Sequence, residues 1–443
     1  IMNYAGNGSV IYDPELKKFR MWYGVLYQGA DMMTKGVPSL ECYAESPDGL
    51  HWTKPTLGLV DYNGSKDNNI VYTSKGLGLY SFMFIVLRDE AESDPARRYK
   101  GLGPSYPVGY FLVTSPDGLH WSAPPRLVST VGLDTLGMTW DPARKLFIMG
   151  GRDSMTDKES LPFRGDPVTK GGKRVIGIFE SKDMGRWKFQ GRGLELDEED
   201  GNGLAFQHWC LNPFNYGNQY LGLLYVASMR GASQIGWQEL VSSRDGRQWR
   251  HAARHQSFLT QGVEHQWDSN SMLNIAGSPP IPVGDEVYIY FTSRANKGFP
   301  GVAILKRDRF IGIRAGDGLP VPHAKSYDDT GGTVEPILDG WHIPYVVTRP
   351  IRITDPKLQV NLQTGSAGVL RVSLRRPFQS RSDSGGQELP GFSGAECLPV
   401  KGDATRMEVR WKGDKDLSSL VGQDVVLMFE FKDATLWSFR FAN

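Results

Sequence analysis

The chain has 443 residues, a formal net charge of +1, 11% aromatic residues and 52 glycines. That charge balance, with no basic cluster, leaves no electrostatic footprint for nucleic acid, and no apolar run approaches the ~20 residues that a membrane-crossing helix needs. The three cysteines, Cys42, Cys210 and Cys397, lack metal-ligand spacing, and their odd number argues against a disulfide framework.

The chain opens at Ile1, almost directly on a strand, and a leader is expected ahead of it. Short runs rich in β-branched and aromatic residues then follow one another: Ser9-Val-Ile-Tyr12, Phe19-Arg-Met-Trp-Tyr23 and Glu41-Cys-Tyr-Ala-Glu-Ser46. Each is bounded by Gly, Pro or Asp, the pattern of strands joined by turns. The third run leads into Ser46-Pro-Asp-Gly-Leu-His-Trp52. The same phrase returns as Ser115-Pro-Asp-Gly-Leu-His-Trp121, Ser181-Lys-Asp-Met-Gly-Arg-Trp187 and Ser243-Arg-Asp-Gly-Arg-Gln-Trp249. A worn fifth copy reads Leu305-Lys-Arg-Asp308-Arg-Phe310. From Asp48 through Asp117, Asp183 and Asp245 to Asp308 the steps are 69, 66, 62 and 63 residues. One signature per unit at a near-constant period marks a repeat architecture.

Matching runs occupy the same places in later units: Phe82–Leu87, Gly109–Thr114, Leu136–Trp140, Leu146–Met149, Val175–Phe179, Tyr220–Tyr225 and Val287–Phe291. With a strand after each Trp, one unit is a four-stranded antiparallel sheet, and five units around an axis make a five-bladed β-propeller. Asp13-Pro14, Asp94-Pro95 and Asp141-Pro142 suit tight hairpin turns. In the repeated phrase, Asp and Gly shape the turn between the third and fourth strands, and Trp packs between blades. No chemistry is assigned to Asp48, Asp117, Asp183 or Asp245. Past Gly316 the phrase stops. Gly368–Ser373, Met407–Trp411, Val425–Phe431 and Leu436–Phe441 alternate in short strands, which reads as a C-terminal β-sandwich. The expected fold is all-β: a propeller over residues 1–315 and a sandwich over 316–443.

A phrase-bearing propeller followed at once by a sandwich resembles the glycoside hydrolases of family 32 and the wider five-bladed group of families 43, 62, 68 and 117. The stretch Cys42–Pro55, then Asn63–Val71, and the tail Gly391–Val400 with Leu436-Trp-Ser-Phe carry the resemblance, which spans essentially the whole chain. It implies a carbohydrate substrate and no organic cofactor. Related propellers can carry an axial cation, but no ligand set for one is visible here, and no metal ligand is assigned. Departures are clear. The family's Asn-Asp-Pro-Asn segment is absent, and Asn3-Tyr-Ala-Gly-Asn-Gly8, the nearest material, has no carboxylate. Leu87-Arg88-Asp89 closes a strand where the family's Arg-Asp-Pro opens one. Glu396-Cys397 mimics the family's acid motif but falls in the sandwich and is rejected.

Propeller geometry narrows the chemistry. Inner strands all run the same way, so their starts gather at one end of the axis, together with the loops between second and third strands. The phrase aspartates, Asp13, Asp94 and Asp141 lie at the other end. Glycoside hydrolysis needs two carboxyl groups flanking the scissile bond. The carboxylates at inner-strand starts are Asp134, Glu264 and Asp268, with Glu264 expected as general acid and Asp134 or Asp268 as base or nucleophile. The competing readings are a turn cap for Asp268 and a solvated loop for Glu264. His208, Trp209, His265 and Trp267 are candidate sugar contacts, and Arg152 and Arg230 are placed on the rim, with a surface salt bridge as the simpler reading of each arginine. The acidic run Asp197–Asp200 reads as a solvated loop, and Asp67 is an outside candidate.

Two rival functions accompany the hydrolase. A glycoside phosphorylase of the family 130 kind would need basic groups for phosphate, which Arg152, Arg230 and Arg294 could supply. A propeller that binds carbohydrate without catalysis is the other. Secretion or a periplasmic location suits an enzyme acting on polysaccharide, although no signal segment is present to show it. Oligomeric state, linkage and stereochemical outcome are not encoded in these motifs.

Overall fold

In the computed structural model, the residues described are 8–25, 40–73, 80–81, 85–106, 109–122, 126–128, 136–155, 173–203, 206–228, 236–262, 266–268, 273–293, 300–315, 345–377 and 387–443. Among them the protein is all-β, with only short 3-10 turns besides strands, and no helix is long and apolar enough to cross a membrane. The chain divides into two compact units, 1–305 and 306–443. The division falls earlier than Gly316, because Ile313–Ala315 already pairs antiparallel with the long strand Asp424–Ala442 of the second unit.

The first unit is a succession of antiparallel sheets. The first has strands Ser9–Asp13, Lys18–Val25, Leu40–Ser46 and Ile70–Thr73, hydrogen-bonded in that order. The third (Leu136–Asp141, Leu146–Met155, Lys173–Ser181, Lys188–Leu194) and fourth (Phe206–Tyr216, Gln219–Ser228, Gly236–Ser243, Arg250–His251) repeat the same meander. The second is built on Tyr99–Tyr106 and Gly109–Ser115. In the fifth, Glu286–Ser293 pairs with Leu273–Ile275, Ile281–Val283 and Pro300–Lys306.

Side-chain packing joins these sheets into a ring. Val10 and Phe19 of the first pack with Tyr288 and Tyr290 of the fifth. Trp22 and Tyr43 meet Tyr99 and Phe111 of the second. Leu102 and Leu112 meet Met138 and Phe147 of the third. Ile176 and Ile178 meet Leu211 and Val241 of the fourth. The fourth sheet's third strand neighbours Leu273–Ile275 of the fifth. The turn tryptophans follow the same order: Trp52, Trp121, Trp187 and Trp249 each pack at the boundary with the preceding sheet. The architecture is a β-propeller.

The repeated phrase is a closed hydrogen-bond unit. In its first copy Asp48 Oδ1 accepts from the backbone N–H groups of Leu50 and His51, both at 2.8 Å, and Gly49 N–H donates to Ser46 Oγ at 2.8 Å. Copies two and four repeat this set. Gly49, Gly118 and Gly246 are left-handed, with φ of 79°, 74° and 71°. At Gly118 a Cβ would also come within 2.7 Å of the Trp22 ring. In the third copy Met184 takes this conformation (φ 59°), and its fully buried side chain joins the core between the second and third sheets.

The hairpin aspartates share that inert end. Asp13 is buried and accepts from Glu15 N–H, Leu16 N–H and, across the blade boundary, Tyr99 Oη at 2.5 Å. Asp141 repeats the pattern with Ala143, Arg144 and Tyr220. Asp94 does not sit in a tight hairpin: it caps a 3-10 turn, Pro95–Arg97, inside a longer connection stabilised by the buried Lys100–Asp89 pair.

The second unit is one sheet bent over a core. Its two 19-residue strands, Lys357–Arg375 and Asp424–Ala442, pair antiparallel with register shifts at Asn361/Leu362 and Thr364/Val369. The second shift is the bend, where a Cβ at Gly365 or Gly368 would collide with Asp433. Leu358, Val360 and Leu362 from one limb and Leu370, Val372 and Leu374 from the other then face one core around Trp411 and Phe429. Glu396 lies in this unit, accepting from Ser393 N–H and Oγ, which hold its carboxyl below the usual range.

Candidate functional site

The end of the ring where inner strands begin is chemically different, and its fourth blade is the best described. Phe206 opens the inner strand, Trp237 lies at the start of the third, and residues 252–262 run from the outer strand toward the fifth blade. Phe258 N–H donates to Gln238 O and Gln261 Nε2 to Gly236 O, so this crossover is fastened along the third strand. Between them lies a cavity of about 350 Å³ lined by Gly236, Trp237, His255, Ser257, Thr260 and Gln261.

A buried carboxylate organises the cavity wall. Glu239 is fully buried; its Oε1 accepts from Trp237 Nε1 and from His255 N–H, both at 2.9 Å, and its Oε2 lies 2.7 Å from His251 Nδ1. His255 is left-handed (φ 56°) and its ring packs on Phe206 at 4.7 Å, tilted by 39°. A non-glycine residue in that region costs about 1–3 kcal/mol and is held by its surroundings. Here the bond to Glu239 holds it.

Behind the wall sits Asp200, in the 3-10 turn Glu198–Gly203. It is 0% exposed, with Oδ1 3.8 Å from His208 Nε2 and 3.9 Å from His255 Nε2. Burial raises its pKa. Burial likewise pushes His208 down to about 3, helped by nearby His251 and Arg254, so the imidazole is neutral. Arg254 faces Asp197 at 2.5 Å and Asp200 at 3.7 Å. The acidic run is therefore only partly the solvated loop its sequence suggests: Asp197, Glu198 and Glu199 are exposed, while Asp200 is a structural carboxyl of the interior. Among the described residues no group of three or more His, Cys, Asp or Glu side chains is arranged to hold a metal ion.

Asp268 lies beside this cavity. A Cβ at Gly262, the residue after cavity-lining Gln261, would collide with the Asp268 carboxylate, so the two are in direct contact. Trp267 is 39% exposed and stacks on Phe291 at 5.7 Å and 16°, with Gly301 beneath it where a Cβ would meet the indole at 2.7 Å. Asp134, Glu264, His265, Arg230 and Arg294 fall outside the described residues.

Three of the remaining sequence candidates, His208, Trp209 and Arg152, are placed differently from expectation. His208 is 0% exposed and cannot touch a substrate from that position. Trp209 is buried too, with the Arg174 guanidinium 4.0 Å over its ring and Tyr225 at 6.0 Å. Arg152 is a buried residue of the strand Leu146–Met155, opposite Ile176, rather than a rim side chain. Asp67 is exposed and accepts from Thr56 Oγ1. Trp237, Glu239 and His255 escaped the sequence reading. Counting back from the phrase serine, Glu239 stands where the other blades have Cys42, Phe111 and Gly177, and that one acidic misfit in an apolar register was the available signal.

No family model matches the chain. It is similar to an uncharacterized protein of Mycobacterium tuberculosis, 32% identical over 126 residues, which are 28% of this chain and 35% of that protein. The chain thus spans about a third of that relative's length. Among solved structures it is similar to a glycoside hydrolase (TM-score 0.47, 14% identity, 72% of this chain and 91% of that one). It is also similar to a glycosyl hydrolase from Bacteroides ovatus (TM-score 0.45, 12% identity, 69% and 85%). At those scores neither likeness carries a function to this chain.

Proposed function

We propose that the protein is a carbohydrate-active enzyme, a glycoside hydrolase whose site lies at the inner-strand-start end of the propeller. The observation that supports this reading is the Asp268 carboxylate held against Gly262, next to a cavity with an aromatic wall and beside the exposed face of Trp267. Trp267 is braced from below by Phe291, so its ring is a rigid apolar platform of the kind a sugar face packs on. Glu264 is proposed as general acid, with Asp134 or Asp268 as nucleophile or as base that activates water; Glu264 precedes Asp268 by four residues in the sequence. His265, Trp267 and Arg230 are proposed contacts to substrate, with His208, Trp209 and Arg152 acting from behind the surface by positioning.

The test is reducing-sugar release from a panel of α- and β-linked oligosaccharides by wild type, Glu264→Gln and Asp268→Asn, with and without inorganic phosphate. Release by wild type that falls at least about 100-fold in both variants supports the assignment, that being the usual loss with a general acid or base. No release from any substrate, or release unchanged in both variants, overturns it. Turnover that requires phosphate would identify a phosphorylase instead.

A further inference from the structure

The cavity of the fourth blade has a lining that selects a ligand. Among the described residues that line it, Gly236, Trp237, Ser257, Thr260 and Gln261 carry no charge at any ordinary pH, and His255 turns both ring nitrogens inward. Those nitrogens lie 3.8 Å from Glu239 Oε1 and 3.9 Å from Asp200 Oδ1, and both are buried. What His255 presents to the cavity is therefore ring carbon. Trp237 is fixed in the same way. Its indole N–H is bound to Glu239 and Phe206 meets its ring edge-on at 5.5 Å and 72°, so an apolar face is left for a ligand.

Polar groups are present but neutral. Gln261 donates through Nε2 to Gly236 O at 3.1 Å, which fixes the amide and leaves Oε1 as an acceptor. Ser257 and Thr260 are exposed hydroxyls that donate and accept. Among the described residues of the lining there is no lysine or arginine to meet an anionic ligand, and two buried carboxylates lie behind it. Arg254, one residue before His255, is directed to Asp197, Glu199 and Asp200. The volume, about 350 Å³, is at the small end of the ~300–1,000 Å³ range of ligand pockets.

We propose that this cavity is a binding subsite for an uncharged sugar unit, packed by its C–H face on Trp237 and hydrogen-bonded by Ser257, Thr260 and Gln261. The proposal rests on the carbohydrate reading above and narrows it: the substrate or ligand carries a neutral glycosyl residue, not a uronate or a sugar phosphate, at the position next to Asp268. Glu239 and the left-handed His255 are positioning residues, which set the wall before any ligand arrives.

The experiment uses the full chain carrying Asp268→Asn. Isothermal titration with lactose, cellobiose, β-1,2-mannobiose and digalacturonate is repeated after adding Trp237→Phe or Gln261→Ala, with near-UV circular dichroism to check folding. Trp237→Phe keeps ring bulk, and Gln261→Ala touches the crossover alone, so one reports if the other misfolds. Binding of at least one neutral disaccharide, weakened about tenfold or more by either substitution as for a principal aromatic or buried polar contact, with no binding of digalacturonate, is the expected result. Tighter binding of digalacturonate, binding insensitive to both substitutions, or no binding by any of the four overturns the subsite. The two readings fail separately. Hydrolysis by wild type with KM unchanged in Trp237→Phe and Gln261→Ala removes the subsite and leaves the hydrolase. Trp237-dependent binding without hydrolysis removes the hydrolase and leaves the subsite.

Discussion

The two ends of the propeller solve opposite problems with similar residues. At the phrase end the turn aspartates are supplied with several donors each. Asp48 and Asp117 each accept two backbone N–H groups and a serine hydroxyl, and the arrangement recurs from blade to blade. At the end where the inner strands begin, the fourth blade holds Asp200, whose Oδ1 meets no hydrogen-bond donor among the described residues, a neutral buried His208 and a strained His255, and no other described blade repeats them. Repetition with saturated hydrogen bonding marks a part that only has to hold. A unique arrangement that costs stability marks a part kept for another reason.

The sharpest test of that contrast is Gly262→Ala. The added Cβ collides with the Asp268 carboxylate, so turnover is expected to fall by about tenfold to 100-fold, as small misplacements of a reacting group do, with the melting temperature little changed. Activity assays paired with thermal unfolding check it, and the contrast breaks if melting falls while turnover holds. At the other end, Arg20→Ala should do the reverse. Arg20 is buried, bound to Asp13 and to Asp117 O and placed over Trp22, Tyr43 and Tyr99. Its loss is expected to destabilise by about 3–5 kcal/mol, read by urea unfolding, without altering substrate affinity.

A third test uses protons. His208 has its folded pKa pushed down to about 3 by burial, so the unfolded chain binds a proton first as pH falls below the ordinary histidine value of 6.5. Its contribution to stability is intact above about 6.5 and is lost as pH falls toward 3, at up to 1.4 kcal/mol per pH unit. His208→Leu should flatten that part of the melting-temperature profile, and a profile identical to wild type would contradict the buried neutral state. The smallest effect is expected from Asp48→Ala, about 1 kcal/mol, the usual cost of removing a capping side chain. Chemical denaturation should return a similar figure for Asp117→Ala and Asp245→Ala, since each turn shares the two backbone bonds and the serine hydroxyl.

The fold was legible because its signal is repeated. Ser and Asp at fixed offsets set one turn four times, with Gly after the Asp in three of them, and that register fixed which end of each strand faces which way. The site was only partly legible, because a site breaks the pattern once. Asp268 and Trp267 became candidates by position alone, just ahead of an inner strand. His208 and Trp209 satisfied the same positional rule, yet the strand turns them inward: a register shift between His208 and Cys210 re-aims the chain. Glu239, His251 and His255 come from a third strand, an outer strand and a crossover, and only packing brings them together.

Between the fifth blade and the first, no strand is shared. Ser278 instead imitates one: its hydroxyl accepts from Val10 N–H at 2.9 Å and donates to Val10 O at 2.8 Å, across 268 residues of chain. Closing a loop of that length carries a large entropic cost that grows only slowly with further length. During synthesis Val10 must therefore wait for its Ser278 partner until the fifth blade is made, although Ser9 Oγ can already accept from Val86 N–H of the second. The first sheet is thus expected to reach its final protection from hydrogen exchange together with the fifth, and after the third and fourth.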